Sequence, residues 1–246
     1  MPRFFIRQNQ IEITENGKIV TITGDDAHHI SRSLRMASKE VIEACDMQKN
    51  LYTCELFDFS EGKVRARVLE EKQADTEPPC FIRLYQALAK GDKMETIIQK
   101  SIECGACEIV PFSSERCVVK IDKKDEGKKI DRWQKIAEGA AKQSGRGIIP
   151  QVKGVLTFGE LLKSLCGTVL FCYEGEDTQT IKQALKNAKI SGDVSIIIGS
   201  EGGFSQKEAE LLKENGAISV GLGKRILRCE TAPTFALACI CYELEL

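Results

Sequence analysis

Two short glycine-bearing stretches hold the residue types from which a ligand site is built. The first is VSIIIGSEGGF, Val194 to Phe204. An apolar run that ends in Gly199 and continues into Gly202 and Gly203 predicts a buried strand followed by a loop that a ligand can approach closely at the backbone. Ser205 and Glu208 then stand at the spacing of a capping box, which predicts a helix. The second stretch is LGKRILRCETAPT, Leu222 to Thr234. It gathers Gly223, the cations Lys224, Arg225 and Arg228, and the acid Glu230 ahead of a final helix from about Glu230. Glu230 or Thr231 would cap that helix, and Pro233 suits its first turn. Three cations beside one carboxylate suit an anionic partner. Neither stretch is a phosphate loop, because Glu201 takes the second glycine position of GxGxxG and no GK[ST] follows. That sets aside a nucleotide-dependent enzyme built on such a loop. The residues alone leave a plain strand-to-helix turn and a solvated charged loop open as readings.

The elements around these stretches alternate. CFIRLYQALA reads as a strand, GDKMETIIQKSIECG as a helix stopped by Gly105, and CEIVPF as a strand. A charged stretch, KIDKKDEGKK, precedes the helix IDRWQKIAEGAAKQSG. Then come the strand TVLFCYE, the helix DTQTIKQALKNA, the strand DVSIIIG, the helix SQKEAELLKENG and the strand AISVGLG. Such alternation predicts a mostly parallel sheet with helices on both faces, and open sheets of this kind bind ligands at the carboxyl ends of their strands. Residues 1–72 differ. Ile11 and Ile13, Asn16-Gly17, then Ile19, Val20 and Ile22 predict a hairpin. LYTCELFDF, Ser60-Glu61-Gly62 and KVRARVLEE predict a second, with Val64, Ala66 and Val68 on one face and Lys63, Arg65 and Arg67 on the other. Asp25 or Asp26 would cap a short helix in DDAHHISRSLRM. Several strands and one helix in so short a segment predict a small β-barrel. Gln73 to Pro79 reads as a linker, dividing the chain into a β domain, 1–72, and an α/β domain, 73–246.

Composition narrows the classes further. Of 246 residues, 42% are hydrophobic and 29% charged, as expected of a soluble globule. The net charge of -1 hides a basic middle, with 15 Lys/Arg against 10 Asp/Glu in residues 78–153. No run approaches the length of a membrane span or a signal peptide, which predicts a cytoplasmic protein with no membrane partner. Its 11 cysteines are then expected as reduced thiols. Cys104 and Cys107 have CxxC spacing without a second pair, so no metal site is expected. The only histidines, His28 and His29, lie in the first domain, which argues against catalysis and metal binding, and are read as structural.

IIIGSEGGF and VGLGKRILRCETAP together resemble the two knot-forming loops of the SPOUT methyltransferases. MPRFFI, HHISRSLRM, QALAKGDKMETIIQKSIECGACEIVPFSSERCVVK and RWQKIAEGAAKQSGR extend the resemblance over nearly the whole chain. Within that class they resemble the family that methylates N3 of a uridine in small-subunit ribosomal RNA. Two positions depart from its usual pattern. Ser200 stands where proline is common, and Pro233 where a small residue is more usual.

The resemblance implies an N-terminal PUA-like β-barrel, a C-terminal α/β domain tied in a trefoil knot, and a homodimer. It implies S-adenosylmethionine as cofactor, held by Leu170, Phe171, Gly199, Glu201, Gly202, Leu222, Gly223, Ile226 and Leu227. Arg228, with Arg7 as another candidate, would favour the uracil N3 anion, and Glu201 or Glu230 would accept the proton or orient the arginine. The partner would be ribosomal RNA or the small ribosomal subunit, met by Arg3, Arg7, Arg32, Arg35, Arg116, Lys120, Lys142 and Arg146. Two alternatives share these features: a SPOUT enzyme acting on another RNA such as transfer RNA, and an RNA-binding protein that keeps the fold without the chemistry.

Overall fold

The structure is a computed structural model and describes residues 1–60, 62–175, 178–188 and 192–245. It divides into two compact units, Met1–Glu77 with Ala141–Ile149, and Pro78–Ala140 with Pro150–Leu246.

The first unit is built on one mixed sheet. Its strands are β1 (Arg3–Phe5), β2 (Ile11–Thr14), β3 (Gly17–Thr23), β4 (Val41–Cys45), β5 (Asn50–Ser60) and β6 (Lys63–Gln73), in the order β1-β4-β5-β6-β3-β2. Only β1 and β4 run parallel. Both predicted hairpins form, β2–β3 and β5–β6. Glu61, in the second predicted turn, lies outside the described residues. Period-two alternation puts Val20, Ile22, Val64 and Ala66 on the inner face, and they join Phe4 of one edge strand in a single core. Ile11 of the other edge strand packs against the same cluster, which is what a sheet curled around one core produces. Each such buried aliphatic contributes roughly 1.5–3 kcal/mol. Helix α1 (Gly24–His28) follows β3 and continues as a π-helical turn, His29–Ser33. Thr23 occupies its N-cap position, so Asp25 and Asp26 fall inside the first turn and do not cap it. There the helix dipole still favours their charge.

Residues 73–79, expected as a linker, are tied down. The Glu77 carboxylate pairs with Arg146 at 2.6 Å and accepts the Gly147 N–H at 2.8 Å, and Ala74 is buried. The expected boundary after residue 72 falls one residue before the end of β6.

The second unit carries a parallel sheet. Its strands are β7 (Ile82–Ala87), β8 (Glu108–Ser113), β9 (Gln151–Val152), β10 (Leu156–Thr157), β11 (Thr168–Cys172), β12 (Gln179–Thr180), β13 (Val194–Ile198) and β14 (Ile218–Gly221). The order is β10-β8-β7-β13-β11-β14-β12, with β9 beside β8. The helices are α2 (Lys93–Glu103), α3 (Lys123–Gln143), α4 (Phe158–Ser164), α5 (Ile181–Ala188), α6 (Gln206–Glu214) and α7 (Ala232–Glu245). β13 is buried at every position, as a strand covered on both faces must be. Gly105, at φ +91°, stops α2 as expected.

Three local expectations need correction. The charged stretch 120–129 is helical from Lys123, because its Lys and Glu residues favour helix, Asp125 and Glu126 sit in the first turn where the dipole favours negative charge, and the Asp122 carbonyl accepts the Asp125 and Glu126 N–H groups. α7 begins at Ala232, not Glu230. Helix α4 was not anticipated, although Thr157 and Glu160 form a capping box whose spacing is legible in the chain. Asp177, expected in the helix that becomes α5, lies outside the described residues.

Candidate functional site

Strand order makes the site. β11 lies between β13 and β14, so three adjacent strands deliver their carboxyl ends to one place. A cavity of about 990 Å³ opens there. It is lined by the loop after β13, the loop after β14, Cys172 at the end of β11, and Tyr173, Glu174, Gly175 and Thr178 beyond it.

The glycine loop is held on several sides. The buried Gln86 amide donates to the Gly199 carbonyl at 3.3 Å. Arg116 Nη1 donates to the Gly202 carbonyl at 3.0 Å, and the Ser200 hydroxyl donates to the Arg116 carbonyl at 3.2 Å. The Gly203 N–H closes the turn on the Ser200 carbonyl at 2.9 Å, with Gly203 at φ +65°. A Cβ on Gly199 would lie 3.1 Å from the Gly203 backbone, so any side chain here would press the turn apart by a few tenths of an ångström. Phe204 anchors the far end, stacked on Phe112 and edge-on to Phe171 at 6.1 Å. Ser205 and Glu208 form the expected capping box of α6.

Lys93, at the start of α2, bridges the two loops. Its Nζ lies 3.0 Å from Glu201 and 3.6 Å from Glu230. The Lys90 N–H also donates to Glu201, at 3.0 Å. Burial pushes the Glu201 carboxyl up, but hydrogen bonds from Lys90, its own backbone N–H and Lys93 outweigh that and hold it below the usual value. Glu230 is lowered in the same way, against burial, by its own backbone N–H, the Cys229 thiol and Lys93. The hydrogen bond to Glu201 raises Lys93. Burial, aided by Glu230, pushes the Cys229 thiol up to about 12, so no thiolate forms there at neutral pH.

The structure brings most of the expected residues together. Gly199, Glu201, Gly202, Leu222, Gly223, Ile226, Leu227 and Arg228 all line the cavity, and Arg116 joins them. Glu230 reaches its edge through Lys93. Leu170 and Phe171 do not line it. Both are fully buried in β11, with Phe171 packed on Phe204 and Tyr173, and the strand's contribution comes from the residues after them. Lys93, Gln86 and Tyr173 were missed. Lys93 carried a faint signal as a charged residue at the start of an amphipathic helix. Gln86 carried another, as an amide in an otherwise apolar strand.

The RNA candidates divide. Arg3 is held by Glu43 at 2.8 Å and donates to the Gly145 carbonyl, and Arg146 is buried against Glu77. Lys142 pairs with Asp26 at 2.8 Å. These three guanidinium and ammonium groups are spent inside the first unit, and an arginine so enclosed has no face left for phosphate. Arg7, Arg32, Arg35, Arg116 and Lys120 remain exposed. Both histidines are exposed, with His29 edge-on to Phe4. Cys107 is buried near the end of α2, and the carbonyl of Cys104 accepts the Cys241 thiol at 3.1 Å.

Comparison with known proteins agrees with this geometry. The RNA methyltransferase domain family matches residues 76–241, and the RNA methyltransferase PUA domain matches residues 22–69. The chain is 37% identical over 252 aligned positions to a ribosomal RNA small subunit methyltransferase E of Bacillus subtilis, covering all of this chain and 98% of that one. A Neisseria gonorrhoeae protein of the same name, solved bound to S-adenosyl methionine, superposes with a TM-score of 0.86 at 30% identity, over 99% of this chain and 98% of that one. A Legionella pneumophila protein solved in complex with the same cofactor gives 0.88 at 29% identity over the same shares. The chain belongs to the ribosomal RNA small subunit methyltransferase E family.

Proposed function

We propose that this protein moves the methyl group of S-adenosylmethionine to N3 of a uridine in small-subunit ribosomal RNA. The observation that carries the reading is the cavity at the ends of β13, β11 and β14, in a chain alike over its whole length to a ribosomal RNA small subunit methyltransferase E. The cavity fits the cofactor's chemistry. Glycine-lined strand ends offer backbone donors and acceptors for an adenine edge, and Leu222, Ile226 and Leu227 offer apolar faces for its ring. Ile226 is 81% exposed, so this apolar surface is available to a ligand. When bound, the cofactor supplies a methyl carbon on a positively charged sulfur.

The protein's own groups do the rest. Transfer requires the N3 proton to pass to water and N3 to stand ~3–3.5 Å from the methyl carbon, so that S-adenosylhomocysteine is left when the methyl group moves. Arg228 lines the cavity and is exposed, and its guanidinium favours the N3 anion. Glu201 and Glu230 are both held ionised by their hydrogen bonds and by Lys93, which suits carboxylates that orient cations more than ones that take up a proton.

The finer architecture belongs to the same proposal. A trefoil knot is supported by the family and by α7, which returns to pack on α2, α5 and β13. A homodimer is supported by the apolar stripe of α7, where Phe235 is 38% and Tyr242 71% exposed. The β-barrel and the α/β domain, 1–72 and 73–246, divide RNA holding from chemistry. No helix among the described residues is long and apolar enough to cross a membrane. A cytoplasmic site of action follows from the proposed substrate.

The test uses small ribosomal subunits lacking base methylation and labelled S-adenosylmethionine, followed by digestion of the RNA. Label in N3-methyluridine is the expected result. Label in another nucleoside moves the target, and no label with no cofactor binding leaves an RNA-binding protein.

A further inference from the structure

A second cavity, of about 460 Å³, lies beside the first. Its size falls in the range of small-ligand clefts, ~300–1,000 Å³. The two cavities share two stretches of wall. At the start of α2, Lys93 lines the first cavity while Asp92, just before the helix, and Met94 line the second. After β8, Arg116 lines the first while Val119 and Ile121 line the second. A molecule in the second cavity therefore sits against the same two stretches of chain that wall the proposed methyl-transfer site.

The lining selects the occupant. Leu88, Met94, Val119 and Ile121 make apolar walls. Lys128 and Lys129 of α3 stand exposed at the rim, and among the described residues neither has a carboxylate within ion-pair distance. Arg132, by contrast, is already held by Glu95 at 2.6 Å. A site for bare phosphate would need cations alone. This one adds apolar walls and the carboxylates of Asp92 and Asp125, which suit the amino edge of a base. We propose that the cavity takes one nucleotide of the RNA strand flanking the methylated uridine, with its base against the apolar walls and its phosphate on Lys128 and Lys129. The proposal rests on the reading above that RNA is the substrate.

The test is binding of the full-length protein to unmethylated small subunits, by filter retention with S-adenosylhomocysteine present. Lys128→Glu with Lys129→Glu should weaken binding at least about tenfold and flatten its salt dependence. Cofactor affinity by calorimetry should not change. Lys123→Glu with Lys124→Glu makes the same charge change on the same helix, outside the cavity, and should weaken binding less than about threefold. Val119→Trp fills the cavity without altering charge and should weaken binding like the first pair. Binding within twofold of the parent for the first pair, or equal losses for both pairs, would overturn the proposal, as would unchanged binding in a folded Val119→Trp protein. A parent protein that binds subunits yet labels no nucleoside would sink the functional reading and leave the cavity to stand on the binding ratios. A parent that binds no RNA would sink both.

Discussion

The loops after β13 and β14 face the same cavity and are built in opposite ways. Residues 199–204 are bonded from three directions: Gln86, Arg116 and Lys93 hold Gly199, Gly202 and Glu201, and Phe204 is buried among aromatic rings. Residues 224–228 are open. Lys224, Arg225, Ile226 and Arg228 are exposed, and among the described residues their side chains form no ion pair. A loop whose groups are already bonded is preorganised and presents a fixed backbone. A loop whose cations and apolar side chain are unspent keeps them for what binds. One loop is a mould, and the other brings the charge.

That contrast breaks or sharpens under substitution. Arg228→Ala should cost about 10²–10³ in turnover at saturating cofactor, with melting temperature unchanged, because the group is free in the folded protein and needed only at the anion. Normal turnover in this variant would remove Arg228 from the chemistry and blur the contrast. Gly199→Ala acts on the other loop. Its methyl group meets the Gly203 backbone, so denaturant titration should show a stability loss of about 1–3 kcal/mol alongside weaker cofactor binding. Unchanged stability would mean that the loop yields freely. Ser200→Ala removes one bond to the Arg116 carbonyl and should cost about 0.5–1.5 kcal/mol in the same titration.

The smallest effect belongs to the bridge between the loops. Lys93→Met should weaken cofactor binding a few-fold and change its pH dependence. Glu201 and Glu230 titrate below their ordinary value of 4.5, so what they contribute is present above 4.5 and is lost as pH falls through their lowered values. Lys93 titrates above 10.5, so its contribution is present below that pH and is lost as pH rises through its raised value. Binding measured by calorimetry should therefore be flat in the neutral range, and its acid limb should move to higher pH in Lys93→Met. An acid limb that stays in place would mean that Lys93 does not keep the carboxylates ionised.

Much of this was legible in the chain. Alternation at period two placed Val64 and Ala66 on an apolar face, and the run Ile196–Ile198 ahead of Gly199 marked β13 as a buried strand. Ser205 and Glu208 announced α6. The two loops were visible as glycines and charges at the ends of strands, since backbone freedom and capping are local properties. The start of α3 and the short α4 were harder, because runs of charge and seven-residue helices carry little periodicity.

Local sequence could not say which strand lies beside which. β13, β11 and β14 are adjacent in the sheet although they are not in chain order, and that adjacency turns two loops into one cavity. It also decides that Leu170 and Phe171 are core and that Lys93, more than a hundred residues before Glu201, closes against it. Nor could residue type tell a free arginine from a spent one. Arg3 and Arg146 look like Arg7 and Arg32 in the chain, yet the first two are enclosed by Glu43, Glu77 and backbone carbonyls. Periodicity, capping and turn chemistry act over a few residues and are written in order along the chain. Strand adjacency and ion pairing act between residues far apart, and only the folded chain brings those partners within reach.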